Sequence, residues 1–387
     1  MRSADLSRIS GYDDVRARAK RRLPKAIFEF VDGGAGAETT LRANRAALDR
    51  WRFDPRWLVD VSARDTSTTV LGERVAIPVL LAPAGLARLA HTRGELDAAR
   101  AAGKAGTIFC VSTASSFTIE EIADVATGPL WFQLYLWKSD EVIERLISRA
   151  RDAGYKALVL TIDTPVVGNR ERDVRNGASL PPKIRLDTAL DAIGKPGWVL
   201  DYFRGPTIQM ANLRDVVPPH VGSVPAYVDR ELNDQAATWD RLDWLRRTWD
   251  GPLAVKGILS VRDALEAVRR GADAVYISNH GGRQLDSSPA TLDVLPAIAE
   301  AVGDRAEILV DGGIRRGEDA VKARALGARA TLAGRLWFHA VGAGGQVVLE
   351  RLLEVVQADV ARTLSLIGVP RLDDVSGDSV VACSSEV

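Results

Sequence analysis

Eight short apolar runs recur along the chain, each followed by a segment of helical period, and this alternation is the strongest constraint on the fold. The runs are "VAIPVLLAPA" from Val75, "TIFCVSTA" from Thr107, "LWFQLYL" from Leu130, "ALVLTIDT" from Ala157, "PLAVKGI" from Pro252, "DAVYISNH" from Asp273, "EILVDGG" from Glu307 and "ATLAGRL" from Ala330. Their near-continuous hydrophobicity, rich in β-branched residues, fits parallel strands buried on both faces. The segments between them are amphipathic. "SDEVIERLISRARDAG" (139–154) and "SVRDALEAVRRGA" (260–272) read as helices, the second with a Ser N-cap and a stop at Gly271. Eight β/α units within one domain's length predict an α/β fold, the TIM (β/α)8 barrel. A doubly wound sheet is the structural alternative, but its glycine fingerprint is missing. "GGAGAET" (33–39) and "VGAGGQV" (341–347) lack the third glycine and follow no predicted strand, and no phosphate-loop motif occurs.

The whole chain, 1–387, reads as a single domain. Residues 1–74 form an N-terminal extension with a helical start, "YDDVRARAKRRLPKAIFEFVDGGA", then "LRANRAALDRWRF". The barrel takes 75–368 and a tail takes 369–387. Inside the barrel, 175–234 is far longer than an ordinary βα connection and is expected to carry function. The 51 acidic and 51 basic side chains balance, so no global field points to nucleic acid. Two cysteines, Cys110 and Cys383, speak against a disulfide framework or a cysteine-bound metal, and no metal site is expected. The N-terminal residues show no secretory apolar region and no run is long enough to span a membrane. A cytoplasmic protein, soluble or peripherally attached, is the expectation.

Active sites of this fold lie at the C-terminal ends of the strands. The polar residues closing the predicted strands are Ser112, Gln133 with Tyr135, Thr161 with Asp163, Lys256, Ser278 with His280, Asp311, and Gly334 with Arg335. Any one of them alone has an ordinary structural role as the simpler explanation; the set predicts convergence on one pocket. "VDGGIRRG" (310–317) and "AGR" (333–335) place glycines and arginines after strands seven and eight, the usual phosphate site of the fold. Lys256 suits either a Schiff-base lysine or a charge stabilising an anionic cofactor. His280, one of four histidines, stands in "SNHGGRQLD" beside Arg283, a pairing that suggests a base and a carboxylate clamp. Arg170 offers a second grip.

Taken together, "SNHGGRQLD", "TIDTPVVGNRERD", "WFQLY", "LAPAG", "VKGI" and "DGGIRRG…LAGR" resemble the FMN-dependent α-hydroxy-acid dehydrogenase and oxidase family over essentially the whole chain. "WRFDPRWLVDVS", "STAS", "PLWFQLY" and "GWVLDYFRG…QMANL" look most like its mandelate dehydrogenase branch. The resemblance implies FMN as cofactor, an (S)-2-hydroxy acid as substrate, a quinone or oxygen as electron acceptor, and a homotetramer. It implies that His280 takes the proton with Asp163 pairing the imidazolium, that Arg170 and Arg283 hold the carboxylate, and that Tyr135 bonds the substrate. It places Lys256 at the flavin's N1/C2-carbonyl edge. Pro83, Ala84, Gly85, Ser112, Gln133, Thr161 and Ser278 surround the ring system; Asp311 holds the ribityl chain; Gly312, Gly313, Arg315, Gly334 and Arg335 hold the phosphate.

Three departures shape the substrate expectation. Phe30 stands where the family usually has a tyrosine whose hydroxyl helps bind the carboxylate. Ala114 replaces a bulky tryptophan of the small-substrate oxidases, and Gly85 replaces their usual alanine; by resemblance both changes open space, predicting an aromatic, mandelate-like substrate. Lactate dehydrogenation or an oxygen-using oxidase is the near alternative, and a flavin-free, Lys256 Schiff-base aldolase the distant one. In "LDTALDAIGKPGWVLDYFRG", Trp198, Leu200, Tyr202 and Phe203 mixed with Lys195 and Arg204 suit a membrane interface, the inner face of the cell membrane, or else a lid on the barrel mouth.

Overall fold

A computed structural model describes residues 6–177, 191–214 and 233–383. The N-terminal extension forms helices Tyr12–Arg22, Lys25–Asp32 and Thr39–Asp49. The first two are separated at Leu23–Pro24, where proline ends one helix and opens the next. Strand β1 (Trp51–Phe53) follows, then the hairpin β2 (Thr68–Val70) and β3 (Glu73–Val75). Eight parallel strands come next: β4 (Val79–Leu81), β5 (Phe109–Ser112), β6 (Leu130–Tyr135), β7 (Ala157–Thr161), β8 (Leu253–Ile258), β9 (Ala274–Ile277), β10 (Glu307–Val310) and β11 (Ala330–Ala333). They close in sequence order, with β11 pairing β4, as the expected (β/α)8 barrel.

Each of the eight apolar runs contains one barrel strand. The first run is split, however. Val75 closes the hairpin, and only Val79–Leu81 enters the barrel. The hairpin thus straddles the expected boundary at residue 74, and its Val70 and Val75 join the apolar cluster of the barrel interior. The 369–387 segment is likewise more than a tail. Its strand β12 (Val380–Ala382) pairs antiparallel with β1, tying the chain's end to its extension.

The core has two layers. Alternate strand residues such as Phe109, Phe132, Leu134, Leu158 and Val275 face outward and pack against the surrounding helices. Their neighbours Leu80, Cys110, Trp131, Tyr276, Leu309 and Leu332 fill the barrel interior. The helices expected at 139–154 and 260–272 span Asp140–Asp152 and Val261–Arg269, and the side chains of Ser139 and Ser260 accept capping bonds from Val142 and Asp263.

Candidate active site

The strand period of two places the chemistry. On β6, Trp131 points into the barrel, so Gln133 and Tyr135 share its face; on β9, Tyr276 does the same for Ser278. By the same parity Cys110 leads to Ser112, Val159 to Thr161, Ala254 to Lys256 and Leu309 to Asp311. Six of the polar strand-end residues expected in the site, Ser112, Gln133, Thr161, Lys256, Ser278 and Asp311, therefore follow an inward apolar residue by two positions. At the mouth these side chains are wired together. Ser112 Oγ lies 3.1 Å from Gln133 Oε1, and Gln133 Nε2 donates to Thr161 Oγ1 at 3.0 Å. Lys256 Nζ donates to Ser278 Oγ at 2.9 Å, and Ser278 Oγ donates to Asp311 Oδ1 at 2.8 Å. Asp311 also accepts from the Tyr276 hydroxyl at 2.9 Å and lies 3.9 Å from Lys256.

His280 and Asp163 meet as expected, with Nδ1 at 3.1 and 3.2 Å from the two carboxylate oxygens. This bond assigns the proton to Nδ1 and leaves Nε2 as an acceptor. His280 has φ +57°, a left-handed conformation uncommon for a side chain of this size and held here at a candidate functional position. Gly257 makes room for the pair: at φ +108°, a Cβ there would come within 2.8 Å of Asp163 Cβ. Asp163 does not raise the histidine's basicity above the ordinary value. Burial and the nearby Lys256 lower the His280 pKa by more than Asp163 raises it. The imidazole is therefore neutral and free to accept a proton. Burial pushes the Asp163 carboxyl up, but Lys256 and His280 outweigh it and hold it below the usual range.

Arg170 and Arg283 both line the cavity, and neither has a carboxylate within ion-pair distance among the described residues. Arg283 Nη1 donates to the carbonyls of Phe30 (2.7 Å) and Gly33 (2.9 Å), and its guanidinium lies 5.3 Å over the Phe30 ring. Phe30 thus supplies a cation–π surface where a hydroxyl was expected to be missed. The Tyr135 hydroxyl makes no hydrogen bond among the described residues, and burial raises its pKa, so it stays a donor.

The two arginines expected at the phosphate, Arg315 and Arg335, differ. Arg335 spends its guanidinium on three backbone carbonyls, Val31 (3.0 Å), Gly281 (2.9 Å) and Gly33 (2.7 Å). It therefore ties the extension to the His280 loop. Arg315 makes no side-chain hydrogen bond or ion pair among the described residues and lines the cavity. The N–H groups of Arg315 and Arg316 donate to Asp319 at 2.9 and 3.0 Å and so are not available to an anion. The cavity wall includes Gly312, Gly313 and Ile314, and Gly334 at the N-terminal end of helix Gly334–Gly344.

Several contributors escaped the sequence reading. Arg45, on helix Thr39–Asp49, donates to the Gly313 carbonyl (2.7 Å) and to Asp319 (2.8 Å) and lines the cavity. Asn44 and Asn279 exchange amide hydrogen bonds at 2.9 and 2.8 Å beneath the glycine loop. Asp173 lines the cavity beside Arg170 and Arg283, its pKa raised by burial. Asn279 and Asp173 carried a signal, through their places inside "SNHGGRQLD" and "TIDTPVVGNRERD".

The cavity holds about 780 Å³, and its lining includes Pro83, Ala84 and Gly85. Ala114 and Gly85 both line it, but the glycine opens no pocket space. A Cβ on Gly85 would meet the Ala114 carbonyl at 2.6 Å and its Cβ at 2.7 Å. Gly85 is there for the close approach of two loops, and Leu86 N–H donates to the same carbonyl at 3.0 Å. Much of 175–234 lies outside the described residues. Its helix Pro196–Arg204 turns Trp198 and Tyr202 inward: Trp198 Nε1 donates to Leu89 O at 2.8 Å, and Arg88 lies 5.7 Å over the Tyr202 ring. Leu200 and Phe203 face outward, 51% and 78% exposed, near Ile193 at 72%.

A half-buried neutral histidine and a cavity lined by Arg170, Arg283 and Arg315, none with a carboxylate partner among the described residues, suit an anionic cofactor beside an anionic substrate. The sequence matches the family model "FMN-dependent dehydrogenase" over residues 19–382. It is 40% identical to the (S)-mandelate dehydrogenase of Pseudomonas putida over 366 residues, covering 95% of this chain and 92% of that protein. It is 42% identical to the L-lactate oxidase of Nostoc sp. over 361 residues, covering 92% and 94%. The crystal structure of the monotopic membrane protein (S)-mandelate dehydrogenase superposes with a TM-score of 0.92 at 39% identity, covering 97% of this chain and all of that one. The chain belongs to the FMN-dependent dehydrogenase family. It is an FMN flavoprotein and an oxidoreductase of the 2-hydroxy-acid dehydrogenase and oxidase group.

The Schiff-base aldolase alternative falls with this result, and the local electrostatics agree. Burial lowers the Lys256 pKa, but Asp163 and Asp311 raise it more, leaving it above the ordinary value. An imine-forming lysine needs the opposite shift.

Proposed function

We propose that the protein oxidises an (S)-2-hydroxy acid with a bulky, aromatic side chain to the 2-keto acid. The observation that carries this reading is the neutral His280, held by Asp163 and lining one cavity with two half-buried arginines that have no carboxylate partner among the described residues. In this reading Arg170 and Arg283 receive the substrate carboxylate, Tyr135 donates to the substrate, and His280 Nε2 accepts a proton from it. Asp163 stabilises the imidazolium that forms. The residues fit FMN. The free Arg315, with Gly312, Gly313 and Gly334, would hold its phosphate; Asp311 the ribityl chain; and Ser112, Gln133, Thr161, Ser278 and Lys256 its ring system. Bound FMN supplies the two-electron acceptor. Lys256, buried and cationic, offsets negative charge developing beside it.

Ile27, Phe30, Leu89, Val174, Met210 and Leu213 give the cavity an apolar wall suited to an aryl group, worth about 25 cal/mol per Å² buried. An anaerobic screen of 2-hydroxy acids for flavin bleaching tests the reading. Mandelate or a ring-substituted relative is expected to exceed lactate in kcat/KM, and Ala114→Trp to reverse much of that preference. A wild type that prefers lactate refutes the aromatic assignment.

A second reading concerns the electron acceptor and location. The exposed Ile193, Leu200 and Phe203, flanked by Lys195 and Arg204, support peripheral attachment to a membrane and a quinone as acceptor. The monotopic neighbour favours the same reading. No helix among the described residues is long and apolar enough to cross a membrane. Admitting oxygen or a quinone analogue to the reduced enzyme separates dehydrogenase from oxidase. A homotetramer is the expected assembly, readable by light scattering.

A further inference from the structure

The free guanidinium of Arg315 is not left to wander. Its Cζ sits 5.2 Å over the ring of Tyr12, the first residue of helix Tyr12–Arg22 in the extension. Tyr12 is 3% exposed, and its hydroxyl is 2.8 Å from Nδ1 of His339, which is fully buried on helix Gly334–Gly344. The imidazole is stacked on Phe28, with centroids 5.3 Å apart and planes 18° apart, and lies 4.0 Å from Asp32. Asp32 is in turn paired with Arg16 at 2.6 and 2.8 Å. The Tyr12 ring is thus clamped at its hydroxyl end and presents a face to the one arginine of the phosphate pair with no other side-chain partner among the described residues. An arginine side chain loses substantial rotamer freedom when it binds an anion, and a preformed aromatic surface reduces that loss.

We propose that Tyr12 is a positioning residue for the anionic end of the cofactor, an aromatic shelf that aims Arg315 and is itself locked by His339. The extension is then part of the cofactor site, although it lies outside the barrel in sequence. The inference rests on the reading that Arg315 meets the FMN phosphate.

Riboflavin, which lacks the phosphate, separates the possibilities. FMN and riboflavin affinities are measured on the flavin-stripped full chain for wild type, Tyr12→Leu, Tyr12→Phe and Arg315→Gln. Tyr12→Leu is expected to weaken FMN binding about tenfold and leave riboflavin binding unchanged. Tyr12→Phe, which keeps the ring, should retain most of the FMN affinity. Adding Tyr12→Leu to Arg315→Gln should cost nothing further. Equal losses for both flavins, or no loss for either, would overturn the positioning role. If Arg315→Gln itself leaves the FMN-to-riboflavin preference intact, the phosphate reading fails and the inference goes with it. Tyr12→Met, similar in length but without an aromatic face, serves if the leucine variant does not fold.

Discussion

His280 meets two opposed demands: it must be neutral to accept a proton, yet its product, an imidazolium, must be tolerated. Burial and Lys256 supply the first and Asp163 the second. The acid limb of substrate-driven flavin reduction should therefore lie below the ordinary histidine value of about 6.5. As pH falls through the lowered pKa, the base is lost and the rate drops. Because Asp163 raises that pKa, Asp163→Asn should move the limb further to acid while slowing the reaction. His280→Ala should keep FMN bound and slow reduction by on the order of 10²–10⁴. Stopped-flow reduction across pH checks all three, and near-normal reduction in His280→Ala removes it as the base. Gly85 offers a separate test. Since its Cβ would strike the Ala114 backbone, Gly85→Ala should destabilise the protein by about 1–3 kcal/mol. Denaturant midpoints would show this, whereas an unchanged midpoint would mean that the loops move apart easily.

At the level of elements, the helix Pro196–Arg204 has two unlike faces. Trp198 and Tyr202 latch it to the barrel, and Asp201 reinforces the latch by accepting from Arg22 (3.1 Å) and from the Thr92 N–H (2.9 Å). Leu200 and Phe203 are left on the other side. Leu200→Asp with Phe203→Asp should therefore abolish binding to anionic vesicles without changing flavin reduction. Trp198→Ala should instead loosen the helix. Co-sedimentation with vesicles decides it, and a wild type that stays wholly in the supernatant removes the membrane reading. The pattern of Trp, Tyr, Leu and Phe was legible in sequence, but not which aromatics face inward. That depends on where Leu89 and Arg88 arrive from β4.

For the whole molecule, the extension and the barrel are joined by buried polar groups as well as by apolar packing. His339 is the most telling. Burial, opposed by Asp32 and assisted by Arg335, Arg16 and Arg315, lowers its pKa to about 3. The unfolded chain takes up a proton near pH 6.5 that the folded form refuses, so stability is lost as pH falls from about 6.5 toward 3. The loss is on the order of 5 kcal/mol at the acid end. His339→Gln, which can still bond Tyr12, should flatten the acid side of the stability curve relative to wild type. Urea midpoints at pH 7 and 4.5 would reveal it, and parallel curves would count against the buried neutral histidine.

The sequence by itself determined the barrel and the identity of most residues at its mouth. Eight apolar runs have few other ways to bury both faces, and on β5 to β10 a period of two carries a closing polar residue inward. It could not say which groups remain free. Arg315 and Arg335 look alike in sequence, yet Arg335 is taken up by three carbonyls from the Val31–Gly33 turn and the Gly281 loop, segments about 250 residues apart. Gly85 and Ala114 read as open space, but the two loops that carry them touch. Arg45, Asn44 and Tyr12 carry no motif at all. Their roles arise because the extension folds back over the last two β/α units, and long-range packing of that kind leaves no local pattern to read.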